Sequence, residues 1–126
     1  MADSKIKISN GELMDRISII ELKKLKVKDP AKLAAVDREF LELNPKCVEL
    51  FTKNDSSLQV LYLELARING KLWDLENEVR KSNIRDKQFI LASKKIFKYN
   101  QIRNDIKNDI NMITGSDYLE VKEYDS

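Results

Sequence analysis

The chain has 126 residues, 23 Lys and Arg against 21 Asp and Glu, no histidine and one cysteine. The missing histidine removes the commonest general base, metal ligand and neutral-pH switch, and a lone Cys47 excludes an internal disulfide. A net charge of +2 gives no bulk basis for nucleic-acid binding, and 42% apolar with 35% charged residues is a folded rather than a disordered composition.

This length predicts one domain, residues 1–126, able to bury a core without disulfide or metal staples. The opening "MADSKIKIS" has no apolar run, which argues against a signal peptide. No stretch approaches the roughly 20 apolar residues that cross a bilayer. A cytoplasmic protein with a reduced thiol and no membrane partner is expected.

In chain order, "KIKIS" (residues 5–9) alternates charged and apolar residues and suggests a very short strand. Ser9, with Glu12 three residues on, fits a capping box that opens a helix over 10–27. Asp29 and Pro30 restart the chain as cap and first helical residue of a second helix, 30–43. Its stripe is Leu33, Val36, Phe40 and Leu43. Asn44-Pro45 ends it, and "PKCVELFTK" reads as a short turn of helix or a continuation past a kink. "NDSS" precedes a long helix over 57–82, whose apolar face runs from Leu58 through Leu65 and Leu72 to Val79. Asp86 can cap the last helix, 87–114, which carries Phe89, Ala92, Ile96, Tyr99 and four further Ile, with Gly115 as its stop. The tail, 115–126, alternates again and could pair with "KIKIS" as a two-stranded ribbon. The expected fold is all-α: long antiparallel helices in a bundle or hairpin.

Several polar residues fall on apolar faces. Glu21 follows Ile17 by four residues and precedes Leu25 by four. Asn69 and Glu76 follow Leu65 and Leu72 by four, and Trp73 and Arg80 continue that edge. In the last helix Arg103 interrupts the Ile stripe, flanked by Asn100, Lys107 and Asn111. A buried unpaired charge costs several kcal/mol. These groups must therefore pair across helices, with Arg103 against Glu76 or Glu21, or line a wet cleft. The first outcome is an ion-pair network that sets helix register. The second is a site for a small anionic or zwitterionic ligand.

Other chemistry is sparse. Glu12 with Asp15, and Glu39 with Glu42, have the one-turn spacing of a Mg²⁺ site in all-helical nucleotide pyrophosphohydrolases, which this chain resembles in class alone. Capping accounts for Glu12, and a solvated face for Glu39 and Glu42. There is no Gly-rich phosphate loop. "KKLKVK" (23–28) and "SKKIFKY" (93–99) interleave Lys with apolar residues and read as one wet face per helix.

Three blocks carry a resemblance. "GELMDRISIIELKKLKVKDPAKLAAVDREFLEL", "INGKLWDLENEVR" and "FKYNQIRNDIKNDINMITGSDYLEVKEY" occur in order over nearly the whole chain. They are similar to a family of small bacterial proteins of uncharacterised function. The resemblance puts Glu12, Asp15, Arg16, Glu21, Lys23, Asn69, Trp73, Glu76, Arg80, Asn100, Arg103, Lys107 and Asn111 on motif positions. It implies an association with surface-glycan synthesis and glycosyl transfer, and no particular activity.

Together these readings predict a non-enzymatic binding or accessory protein with no metal or cofactor. Its inter-helix seam of Glu21, Asn69, Trp73, Glu76, Arg80, Asn100, Arg103, Lys107 and Asn111 would recognise a small anionic ligand or a protein partner. Long hairpins leave an apolar face bare, which predicts a homodimer. The alternative is Mg²⁺-dependent phosphate-ester or pyrophosphate hydrolysis through Glu12, Asp15, Glu39 and Glu42.

Overall fold

A computed structural model describes residues 6–116. Local chemistry sets where its helices begin. Ser9 lies in extended backbone and its Oγ accepts the Glu12 amide at 3.0 Å, opening α1 (Asn10–Lys26). Asp29 accepts the Ala31 amide at 3.1 Å, and Pro30 begins α2 (Pro30–Lys53). Asp55 accepts the Ser57 amide at 2.9 Å and opens α3 (Ser56–Val79). At α4 (Asp86–Thr114) the cap position belongs to Arg85, not Asp86. The Arg85 amide donates to Gln88 Oε1 at 3.4 Å, and Asp86 stands in the first turn, where a carboxylate favours the positive end of the helix. Gly115 ends α4 with φ +70°, the left-handed conformation that glycine adopts without a Cβ clash.

The second helix is ten residues longer than expected, running through Pro45 to Lys53. Proline removes the hydrogen bond to the carbonyl four residues back, that of Leu41. Leu41 and Pro45 are both exposed, so water can serve that carbonyl. Beyond the proline, Cys47 and Leu50 are buried in the core. Tertiary packing outweighs the local break.

The result is an all-α bundle. α1 is its centre and touches each of the other helices, while α3 and α4 form the most extensive pair. Leu13, Met14 and Ile17 of α1 meet Cys47 and Leu50 of α2, Leu58, Leu65, Ile68 and Leu72 of α3, and Ile106 and Ile110 of α4. Ser57 and Leu61 at the start of α3 lie beside Asp109 and Ile113 at the end of α4, so this hairpin is antiparallel. α4 spans about 43 Å at ~1.5 Å per residue, against about 26 Å for α1. The tip of the α3–α4 hairpin therefore overhangs the core, and between residues 73 and 98 Ala92 alone is buried. Among the described residues no strand forms. The tail half of the expected ribbon, residues 117–126, lies outside them. No helix among them is long and apolar enough to cross a membrane.

Candidate functional site

Where α1 meets α4, three polar residues spaced four apart on α4 face the start of α1 as a ladder. Arg103 grips Asp15: its Nε donates to Oδ1 at 2.9 Å and its Nη2 donates to Oδ2. One turn on, Lys107 Nζ donates to Glu12 Oε2 at 2.6 Å and stands 3.9 Å from Asp15 Oδ2. A further turn on, Asn111 Oδ1 accepts the Gly11 amide at 2.6 Å. The rungs climb α4 as they descend α1, which makes these helices antiparallel. Gly11 allows the approach. A Cβ there would overlap the Lys107 carbonyl oxygen and stand 2.9 Å from that carbonyl's carbon and 3.0 Å from Asn111 Oδ1. Asn111 is fully buried, and its Nδ2 has no hydrogen-bond partner among the described residues.

Asp15 is the hub, only 1% exposed. α3 reaches it through Asn69, whose Nδ2 donates to Asp15 Oδ1 at 2.9 Å and to Ser18 Oγ at 2.7 Å. Ser18 Oγ donates in turn to the Asp15 carbonyl at 2.7 Å. A buried carboxylate is tolerated when paired and hydrogen-bonded in this way. Burial pushes the Glu12 carboxyl up, but hydrogen bonds and charge from Lys107 and Arg16 outweigh it and hold the group below its ordinary value of 4.5.

Beyond Arg103 the ladder opens into a groove between α1, α3 and α4, of about 370 Å³. Ile19, Leu22, Leu72 and Trp73 give its lining apolar surface, and Asn69, Glu76, Asn77, Arg80, Asn100 and Arg103 its polar groups. Arg80 and Glu76 make a loose pair, 3.7 Å apart, with the Arg80 side chain three-quarters exposed. Thus six of the nine residues chosen from spacing, Asn69, Trp73, Glu76, Arg80, Asn100 and Arg103, surround one cavity. Lys107 and Asn111 lie outside its lining, in the ladder that continues from it.

Glu21 departs from the expectation. It is exposed, and its Oε1 accepts the Tyr62 hydroxyl at 2.6 Å on a different contact, between α1 and α3. The stripe that placed it inward ended at Leu25, which is 82% exposed. The buried face of α1 runs instead through Leu13, Met14, Ile17 and Ile20. Arg103 correspondingly pairs with Asp15, not with Glu76 or Glu21. Near Glu21, burial first and then the Glu21 charge push the Cys47 thiol up to about 11, so it is no nucleophile at neutral pH.

Spacing left Asp15 out of the seam because α1 is covered on several sides and has no single face. A usable signal was the pair Glu12 and Asp15, one turn apart, matching Arg103 and Lys107 one turn apart on α4. Those carboxylates do not meet Glu39 and Glu42, which are exposed on α2, and no three metal-ligating side chains cluster among the described residues.

No curated protein and no solved structure matches the chain. A family model does, over residues 4–126. The chain therefore belongs to a family of unknown function, DUF6165.

Proposed function

We propose that the groove between α1, α3 and α4 recognises a small anionic molecule, and that the chain is a cytoplasmic, non-enzymatic binding or accessory protein. The supporting observation is the setting of Arg103. Its guanidinium lines the cavity while buried Asp15 holds it in place through two hydrogen bonds. A guanidinium fixed in this way costs little to order when an anion arrives. Arg80 stands at the same cavity as a second cation. Asn69, Asn77 and Asn100 supply amide donors and acceptors, and Trp73 a flat surface against which a ring can stack. Glu76 would repel a wholly anionic ligand, which favours one carrying hydroxyl or amine groups as well. The resemblance to proteins associated with surface-glycan synthesis makes sugar nucleotides the first probes.

Trp73 is the chain's single tryptophan and lines the groove, so its fluorescence reports on this site alone. Titration with a panel of sugar nucleotides and with inorganic phosphate should change that emission saturably, and Arg80→Ala should weaken the effect about tenfold or more. Unchanged emission with every probe, and heats of mixing equal to dilution, would remove the reading.

We also propose that a second copy covers the apolar groove of Val60, Leu61, Met112 and Ile113, on the side of the α3–α4 hairpin away from its tip. Val60 and Met112 are 62% and 72% exposed there.

A further inference from the structure

The overhanging tip of the α3–α4 hairpin differs from the rest of the molecule in charge. Residues 81–98 hold Lys81, Arg85, Lys87, Lys94, Lys95 and Lys98 against one acid, Asp86. That is a net +5 in eighteen residues; Asp74, Glu76, Glu78 and Arg80 at the end of α3 bring the whole tip, residues 73–98, to a net +3, which leaves −1 on all the others. All six cations of residues 81–98 are exposed, and none makes an ion pair among the described residues. The N-terminus of α4, with its positive dipole end, lies within the same segment.

The tip also exposes apolar surface. Phe89, Ile90, Leu91 and Phe97 are each between 45% and 51% exposed. At 3.6 residues per turn, Phe89, Ile90 and Phe97 fall within about 100° of one another around α4. Lys87, Lys94 and Lys98 fall on the adjoining strip. Two aromatic rings beside a run of lysines have the composition of a helix that lies in a membrane interface.

We propose that the hairpin tip docks on an anionic phospholipid surface, with Phe89, Ile90 and Phe97 entering the headgroup region and the flanking lysines facing lipid phosphates. This does not depend on the groove or on what it holds. A second copy is a poor occupant, since two tips of net +3 repel each other. A nucleic-acid backbone would satisfy the lysines but leave Ile90 in water.

The full chain tests this by co-sedimentation with vesicles. Phosphatidylcholine containing about 30% phosphatidylglycerol should pellet it at low salt, pure phosphatidylcholine should not, and raised salt should release it. Lys94→Gln with Lys98→Gln should weaken binding roughly fivefold per lysine. Phe89→Ser with Phe97→Ser should weaken it at least as much, with an unchanged circular dichroism spectrum since both sites are exposed. Failure to pellet with anionic vesicles at low salt would overturn the proposal. So would pelleting to which the phenylalanines are indifferent, because that is adhesion of charge alone. Tighter binding to single-stranded RNA than to vesicles, abolished by the Phe variants, would assign the tip to nucleic acid instead.

Discussion

Gly11 and Gly70 both sit inside helices, yet an added methyl group meets different surroundings at each. At Gly11 it would strike the Lys107 carbonyl, whereas at Gly70 nothing lies within 4 Å. Gly11→Ala should force α1 and α4 apart and lower stability by about 1–3 kcal/mol. Gly70→Ala should raise it by about 0.5–1 kcal/mol, because alanine loses less backbone entropy in a helix. Thermal unfolding of the two variants checks both signs. Asp15 and Glu21 form a second pair of opposites. One is buried under Arg103 and Asn69, and the other is exposed beside Tyr62. Asp15→Asn, which leaves Arg103 without its counter-charge, should cost about 3 kcal/mol. Glu21→Leu should cost about 1 kcal/mol or less, the value of one hydrogen bond at the surface. Urea denaturation with equal slopes for all variants would measure the contrast.

At the scale of the element, the α1–α4 ladder explains why these helices meet in one register. Sliding α4 by a turn would set Lys107 against Gly11 and leave Asp15 buried without Arg103. The ladder also makes stability depend on acid. The Glu12 carboxyl is depressed in the folded state, so its contribution is present above the ordinary value of 4.5 and is lost as pH falls through the lower, folded value. Glu12→Gln should flatten the stability profile below pH 4.5 and leave its shape above pH 6 unchanged, as read from urea midpoints across pH.

The helices themselves were legible in the sequence because Ser9, Asp29, Pro30 and Gly115 mark their ends by local chemistry. Past Pro45 the sequence allowed either a short turn or a continuation of α2, and the choice depends on Cys47 and Leu50 finding a core built by other helices. Much of the groove was legible too. Asn69, Trp73, Asn100 and Arg103 recur at helical spacing, and spacing survives folding. Pairing partners were harder to find. Which carboxylate meets Arg103 depends on how α1 is rotated in the bundle, and α1 is apolar on too many sides for periodicity to decide.

For the whole molecule, three surfaces stand apart: a groove at the waist, a basic tip beyond it and an apolar groove at the opposite end of the hairpin. If a second copy covers Val60, Leu61, Met112 and Ile113, light scattering should give a mass near twice 14.7 kDa. Met112→Glu should return it to a monomer without loss of helix. The groove, organised by Asp15 and Arg103, is proposed above as a recognition site. It is tested most directly by mapping amide and indole resonances of the isotope-labelled chain during titration with sugar nucleotides and phosphate. Shifts should concentrate on the Trp73 indole and on the side-chain amides of Asn69, Asn77 and Asn100. A spectrum that does not move, or moves only at residues outside the groove, would contradict it.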